Sequence, residues 1–317
     1  MGRYIVRRLL QMIPMLLVMS ALYFVLVNLA GDPLAGYIQG NPKIRGEDIK
    51  RLQHELGLDQ PMAVRYFKWL GKAVSLDWGY SLSTKREVTT TIFERIPATL
   101  ELTIVAEFFA LLIGLSVGIY SAVKRYTLPD YIATFTAFFG ISVPVFWMGI
   151  VLQIIFGVQL HWLPTAGRES VGEDFNLADR IRHIILPATV LTFVTMAGWT
   201  RYMRAELLNV INADYIRTAR AKGLSEMTVV FRHAVRNALI PVVTLMALTI
   251  PGLIAGAIVT ETVFAWPGMG RLFYQSVTSS DFPVILMNLM MTSFLVLLFN
   301  IIRDVVYAYL DPRIRFS

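Results

Sequence analysis

The sequence contains no cysteine among its 317 residues. This excludes thiolate nucleophiles, disulfides and cysteine-ligated metals. Histidine is scarce as well: four occur, too far apart along the chain for local metal-ligand spacing. No G-x-x-x-x-G-K-[ST] run is present, so the chain does not hold a nucleotide through a P-loop. We therefore expect no catalytic residue, no bound cofactor and no metal in this chain. If ATP drives the protein, the ATPase is another polypeptide.

Charged residues are also few. They make up 16% of the chain, and 56% of the residues are hydrophobic, whereas soluble domains have about 25% and about 45–50%. The net charge of +7 would suggest nucleic acid as the partner of a soluble protein. Here the basic residues lie beside long apolar runs, where anionic lipid headgroups and the positive-inside rule account for them. Membrane lipid is therefore the expected partner, and nucleic acid is not.

Six segments are long and apolar enough to cross a bilayer. They are residues 9–30, 99–123, 132–158, 184–200, 239–264 and 284–307. Each is expected to be a helix, because backbone groups in lipid must be hydrogen-bonded within their own segment. The fourth segment is the shortest and is interrupted by Pro187. The sequence thus predicts an all-α integral membrane protein with six transmembrane helices, the first of them an uncleaved anchor.

The distribution of lysine and arginine in short connections predicts the orientation. Basic residues precede the first span, follow the second, fill the connection between the fourth and fifth, and close the chain. These parts are expected to be cytoplasmic, with both termini inside. Three regions follow: an anchor helix at 1–30, an external segment at 31–98, and a core domain of five spans at 99–317 that contains a cytoplasmic loop at 201–241.

The external segment has two stretches with apolar residues at helical spacing. The first holds Ile49, Leu52 and Leu56, and the second runs from Val64 through Phe67 and Leu70 to Val74. Two interpretations stay open. The segment is a small cap packed on the outer face of the helices, or it is a docking surface for an external partner.

One short motif resembles a catalytic signature. Residues 114–118 read GLSVG, the nucleophile-elbow pattern of serine hydrolases, but that elbow needs a strand, a turn and a helix, and this match lies inside an apolar span. Gly114 and Gly118 are better explained as a small-residue face for helix packing. Gly252 and Gly256 repeat the spacing in the fifth span.

Ionisable residues in the spans are candidates for polar contacts inside the bundle or along a transport path. Glu107 lies deep in the second span and is expected to face other helices, a pore or water. Glu261 lies near the outer end of the fifth span. Glu101 and the Arg303–Asp304 pair are close enough to an interface to be solvated or paired.

The loop at 201–241 carries the most informative pattern. Asp214 is expected to cap a short helix over 215–222, which Gly223 ends. Ser225 then caps a second helix with an apolar stripe made by Met227, Val230, Phe231, Ala234 and Val235.

A helix of about eight residues is not stable alone and needs a surface to dock on. Basic Arg217, Arg220 and Lys222 and an apolar ridge of Tyr215, Ile216 and Ala219 suit a groove on a soluble partner. The alternative is a basic loop that serves only to fix the topology.

Several motifs together resemble one family over nearly the whole chain. They are DYIRTARAKGL (214–224), HAVRNALIP (233–241), GDP (31–33), LGLDQP (56–61), RIPATL (95–100), ETVF with WPGMG (261–270) and DPRIR (311–315). This set closely resembles the import permeases of ATP-binding-cassette (ABC) transporters, in the dipeptide and oligopeptide branch. The general importer motif begins Glu-Ala-Ala, where this chain has Arg217, Thr218 and Ala219, as the peptide branch commonly does. The chain also has Ser280 and Asp281 before the last span, where that branch often has Arg-Asp.

The resemblance implies a type I importer permease in the cytoplasmic membrane of a prokaryote. It implies a heterodimer with a second related permease, two cytoplasmic ATPases that hold the ATP and magnesium, and an external solute-binding protein. The helix from Tyr215 to Gly223 would then couple the ATPases to the spans. Alternative cargoes are a nickel chelate, glutathione or an oligosaccharide. A secondary transporter driven by an ion gradient is a further alternative, although it would leave the loop unexplained.

Overall fold

The structure, a computed structural model, describes residues 2–31, 34, 46, 51, 53–54, 58–172, 174–255 and 257–310. Within these ranges the chain is almost entirely helical, and an isolated bridge between Tyr80 and Glu87 provides the β pairing. The predicted all-α class is confirmed. The stretch with Ile49, Leu52 and Leu56 lies outside the described residues, as does Gly256.

Twelve α-helices of the described residues are numbered here in chain order. They are α1 (Gly2–Ala30), α2 (Met62–Val74), α3 (Val88–Val123), α4 (Leu128–Ser142), α5 (Val145–Leu152), α6 (Leu177–Ile211), α7 (Asp214–Ala221), α8 (Glu226–Thr228), α9 (Arg236–Ala255), α10 (Ile258–Val263), α11 (Met269–Thr278), and finally α12 (Phe282–Leu310). Two π-helical segments, Gln153–Gln159 and Val229–Val235, continue α5 and α8.

Among the described residues, four helices are long and apolar enough to span a membrane, and there are five if a bent pair is taken as one span. Their spans are Ile5–Leu29, Val88–Val123, Leu177–Ile211 and Phe282–Asp304, and the bent pair is Leu128–Ser142 with Val145–Gln159. The helix at the expected fifth position, α9, ends at Ala255, and the separate short helix α10 follows it. The count of six therefore stays a prediction.

Proline explains two differences from the expected spans. The third span was expected as one helix over 132–158, but it bends by 101° between Ser142 and Val145. Pro144 cannot donate a backbone hydrogen bond and forces Val143 into an extended conformation. Pro187 behaves differently, since α6 runs through it for 35 residues. The fourth span is thus longer than expected.

The chain divides into two compact units, one made of residues 1–99, 254–258 and 267–317 and the other of residues 100–253 and 259–266. In the first unit α1 packs along α12, and Phe24 and Val27 share a buried cluster with Ile285. The carboxylate of Asp281 accepts hydrogen bonds from the backbone and side chains of the preceding loop, including the Ser83 hydroxyl at 2.8 Å. This fixes the loop before α3 to the start of α12.

The second unit is built around close packing of α3 on α6. A Cβ atom at Gly114 would lie 2.7 Å from the Cβ of Trp199, and one at Gly118 would lie 2.7 Å from the Thr200 carbonyl oxygen. Contacts this short leave no room for a side chain, so the predicted packing role of these two glycines is confirmed. Gly252 on α9 has no described atom within 4 Å of a Cβ position.

Candidate coupling site

The short helix of the expected coupling loop is present as α7. The preceding helix α6 extends 11 residues beyond the expected end at Thr200 and reaches Ile211. Ala213, and not Asp214, is the N-cap residue of α7, and no side-chain cap is formed. The expected cap is therefore wrong. Asp214 occupies the first turn instead, where its charge favours the helix dipole.

The two faces of α7 have different environments. Ile216 and Ala219 are buried in a cluster with Met203, Leu207 and Val229. The expected ridge of Tyr215, Ile216 and Ala219 is therefore corrected, because two of its three members pack on this chain's own helices. They pack inward because an eight-residue helix needs such an anchor to be ordered.

The opposite face of α7 remains open. Its exposed residues are Asp214, Tyr215, Arg217, Thr218, Arg220 and Ala221, and Lys222 is exposed directly after it. The Arg217 guanidinium lies 3.7 Å from Asp214. A partner would therefore meet one aromatic ring, a set of cations and the carboxylate of Asp214.

Gly223 forms the turn after α7. Its φ of +78° confirms the expected left-handed conformation, and its N–H donates to the carbonyl of Arg220 at 2.9 Å. Arg220 spans the turn and donates two hydrogen bonds to the carboxylate of Glu226. These bonds lower the pKa of Glu226 and raise the pKa of Arg220. Arg220 thus closes the turn within the chain.

The segment after the turn is helical with an altered period. Ser225 caps it by accepting from the N–H of Thr228 at 3.4 Å, as expected. The π-helical segment Val229–Val235 places residues five apart on one side. Val229, Val230, Ala234 and Val235 are buried, whereas Met227 and Phe231 of the expected stripe are 71% and 55% exposed. The expected stripe is therefore corrected: Val230, Ala234 and Val235 are buried, and Met227 and Phe231 are not. The two exposed apolar side chains add to the open surface beside α7.

Glu107 faces other helices, as expected. Its carboxylate accepts from the indole N–H of Trp199 on α6 at 3.0 Å and from the Thr249 hydroxyl on α9 at 3.5 Å. Glu261 is fully buried, and its backbone carbonyl accepts from the N–H of Trp266 at 2.8 Å. The two residues thus have different surroundings, and a role in transport stays a prediction for both.

The residues expected to be paired near the ends of the spans have partners. Glu101 binds the guanidinium groups of Arg168 and Arg180, the latter at 3.1 Å. Arg303 donates to Asp304 at 2.7 Å, and Arg8 lies 3.2 Å from the same carboxylate. These contacts are structural ion pairs.

One buried ion pair close to the coupling site was missed from the sequence. Asp130 on α4 is 2% exposed and accepts from both Nε and Nη2 of Arg204 on α6, at 2.8 and 2.9 Å. The Ser121 hydroxyl on α3 and the Tyr126 backbone N–H donate to the same carboxylate. The Asp130 carboxylate thereby joins α3, α4 and α6, and Arg204 lies ten residues before the start of α7. The signal available in the sequence was Asp130 itself, an acidic residue at the start of an apolar run.

Among the described residues, no group of three or more histidine, aspartate or glutamate side chains converges as metal ligands do.

Curated relatives match the chain over its full length. The oligopeptide transport system permease protein AppB of Bacillus subtilis (strain 168) is 45% identical over 318 residues, covering 100% of both chains. The glutathione transport system permease protein GsiC of Escherichia coli (strain K12) is 41% identical with the same coverage. A putative peptide permease of Brucella ovis is 43% identical over 99% of both chains.

Solved structures with the same fold come from the MetNI methionine ABC transporter in inward-facing conformations. One chain matches with a TM-score of 0.56 and 21% identity, over 69% of this chain and 95% of that chain. At this identity the likeness shows a shared fold, which is that of an ABC importer permease.

Two family models cover the sequence. Residues 114–316 match the binding-protein-dependent transport system inner membrane component, and residues 1–103 match the N-terminal membrane component of the same systems. Proteins of this kind are permease subunits that work with a separate ATPase and a solute-binding protein. The chain belongs to the family of binding-protein-dependent transport system inner membrane components, and it is a multi-pass protein of the inner membrane and not itself an enzyme.

Proposed function

We propose that this chain is the permease subunit of an ATP-driven importer for di- or oligopeptides. The assignment of a peptide cargo rests on full-length similarity to relatives whose names specify peptide transport, above all AppB at 45% identity. GsiC, at 41%, is named for glutathione, which is itself a small peptide. Both names fall within one chemical class, and peptide is therefore favoured over a nickel chelate or an oligosaccharide.

The proposed coupling element is the exposed face of α7 with the turn at Gly223. Its inward face, Ile216 and Ala219, is held in the hydrophobic core beneath it. A force applied to Tyr215, Arg217 or Lys222 would therefore reach α6 through packed side chains and not through a loose loop. This supports α7 as the part that contacts an ATPase. ATP and magnesium are then bound by the ATPases, and this chain binds no cofactor.

The proposed assembly contains this chain, a second related permease, two ATPases and an external solute-binding protein. Both termini are cytoplasmic, and the regions 1–30, 31–98 and 99–317 act as anchor, external segment and core, with 201–241 as the coupling loop. Glu107 and Glu261 are the candidate polar residues of the helix bundle or transport path. Rigid-body alternating access, biased by the ATP-bound state of the ATPases, would move the cargo.

Orientation is testable with single cysteines, since the natural chain has none. Val171 is fully exposed in the connection before α6, and Lys222 is exposed after α7. In intact cells a membrane-impermeant maleimide should label Val171→Cys and spare Lys222→Cys until the membrane is opened. The reverse pattern would overturn the orientation and the docking site together.

Cargo is tested by reconstituting the co-purified complex with its binding protein in proteoliposomes that contain ATP. Labelled dipeptide, longer peptide, glutathione, a nickel chelate and an oligosaccharide are compared. Saturable, ATP-dependent uptake of peptides is expected. Uptake of the nickel chelate or the oligosaccharide alone would refute the peptide assignment, and uptake driven by an ion gradient without ATPase would refute the importer class.

A further inference from the structure

Helix α2 packs one side against α1, inside the first unit. The ring of Phe24 on α1 lies 5.6 Å from the ring of Tyr66 and 5.5 Å from that of Trp69, measured between centroids. The Tyr66 hydroxyl is 2.9 Å from the hydroxyl of Ser20. The position of α2 along α1 is therefore fixed by named contacts.

Those contacts give the depth of α2. The span Ile5–Leu29 has Leu17 at its midpoint, so Phe24 lies about 10 Å from the middle of the span and Ser20 about 4.5 Å from it. The hydrocarbon core of a bilayer extends about 15 Å on each side of its middle. Helix α2 thus crosses α1 inside the hydrocarbon thickness.

Helix α12 is consistent with this depth. Tyr66 and Trp69 pack against the buried cluster that Phe24 shares with Ile285 and Leu286 of α12. The span Phe282–Asp304 has Ser293 at its midpoint, which places Leu286 about 10 Å from the middle. The α12 residues of this cluster thus lie at the same depth as Phe24.

The outward side of α2 is apolar and uncovered by this chain. Val64, Phe67 and Val74 recur at i, i+3 and i+10, so they share one face, and they are 42%, 68% and 75% exposed. On α1, Leu22 and Leu26 are also exposed, at 52% and 51%. A water-soluble partner has no access to a surface at this depth.

The polar residues of α2 form one narrow strip. Arg65, Lys68 and Lys72 fall within an arc of about 60° at 3.6 residues per turn, and the helix has no acidic residue. Arg65 donates to the side-chain oxygen of Asn28 at 2.5 Å. Asn28 is about 16 Å from the middle of the α1 span, so the guanidinium reaches outward to the edge of the hydrocarbon, as snorkelling side chains do.

We infer that α2 is immersed in the lipid leaflet at the end of α1 opposite the chain's start, with Phe67 and Val74 among the acyl chains and the Arg65–Lys68–Lys72 strip at the phosphate headgroups. A wide apolar arc with one narrow basic strip is the pattern of helices that lie in a membrane interface. Of the two interpretations left open by the sequence, this assigns the outward face of α2 to lipid and not to an external protein.

The test uses single-cysteine variants in the full transporter reconstituted in phospholipid bilayers. Phe67→Cys and Lys72→Cys lie on the apolar face and the basic strip of the same helix, and each carries a nitroxide label. Collision rates are measured with oxygen, which partitions into hydrocarbon, and with a water-soluble nickel chelate. The oxygen-to-nickel ratio should be several-fold higher at position 67 than at position 72. Co-purification of the ATPases checks that each variant is assembled.

Val64→Cys, on the same face as Phe67, provides a second site should the first variant fail to assemble. It should also favour oxygen. A label at 67 or 64 that collides mainly with the nickel chelate would assign this face to water and an external partner. A label shielded from both agents would assign it to another subunit. Either result overturns the inference, and neither affects the proposed cargo.

Discussion

Arg220 binds Glu226 through two hydrogen bonds, Nε to Oε2 at 3.0 Å and Nη2 to Oε1 at 2.6 Å, and so closes the turn at Gly223. The pair joins the end of α7 to the start of α8. Both side chains are exposed, so the pair contributes little to global stability, about 0.2–1 kcal/mol. Its effect is local, on the angle at which α7 is presented.

This pair makes the turn sensitive to acid. The hydrogen bonds from Arg220 hold the pKa of Glu226 below its usual 4.5. A lowered carboxyl pKa means that the stabilisation is complete above the usual value and is lost as the pH falls through the lowered value. Backbone amides 221–225 should therefore exchange hydrogen faster below about pH 4.5, after correction for the intrinsic rate. Glu226→Gln should remove this step, and an unchanged profile in that variant would contradict the assignment.

Gly223→Val should uncouple the transporter. At φ +78° a β-branched residue costs about 1–2 kcal/mol, although no described atom lies within 4 Å of the new Cβ. The penalty is thus one of backbone conformation, and α7 would be mis-aimed. ATPase co-purification and peptide uptake should fall together while the spans stay inserted. Gly223→Asn is the matched control, since asparagine tolerates this conformation, and it should retain most of both activities.

Gly114→Ala should destabilise the packing of α3 on α6. The added methyl group would lie 2.7 Å from the Cβ of Trp199 and 2.9 Å from the Met196 carbonyl oxygen. Overpacking of this kind costs about 1–3 kcal/mol, and a lower melting temperature of the purified complex is expected.

Gly198→Ala provides the control, because a Cβ there meets no described atom within 4 Å. Alanine is favoured over glycine in a helix by about 1 kcal/mol, so this variant should be neutral or slightly stabilising. Equal effects of the two substitutions would mean that close packing is not the reason for Gly114.

Asp130→Ala should be among the most damaging single changes near the coupling site. It would leave the Arg204 guanidinium without its carboxylate partner, and breaking a buried pair costs about 3–5 kcal/mol. Since Arg204 is partly exposed, the lower end is expected. Asp130→Ala combined with Arg204→Met should recover much of the assembled complex, measured by size-exclusion chromatography. A double variant as poor as the single one would show that the pair itself is not the cause.

Glu107→Leu should impair assembly or transport, because it leaves the indole N–H of Trp199 without its acceptor. An unsatisfied buried donor costs about 1–3 kcal/mol. Glu107→Gln keeps an oxygen acceptor for Trp199 and should preserve insertion. Comparing the two variants separates the effect of the lost hydrogen bond from the effect of the lost charge. Wild-type expression and uptake in Glu107→Leu would remove any role for this residue.

Local features were predictable from the sequence. The turn at Gly223 and the cap at Ser225 follow from the chemistry of single residues, and both are present. The apolar runs indicated membrane helices because their length is set by the bilayer. The packing role of Gly114 and Gly118 followed from their spacing on one helix face.

Contacts distant in sequence were not predictable. Asp130 and Arg204 are 74 residues apart, and no local pattern joins them. Which side of α7 is buried depends on Met203 and Val229, which lie on other elements. The exposure of Phe231 follows from the π-helical period, which a 3.6-residue pattern does not contain.

Helix α6 has a mechanical consequence through its length. Its 35 residues form a rod of about 52 Å that ends two residues before α7. A tilt of about 5° around its first turn, where Arg180 holds Glu101, would displace its far end by about 4.5 Å. A single uninterrupted helix of this length would act as a lever arm, which converts a small rotation at one end into a translation at the other that is close to one helical turn.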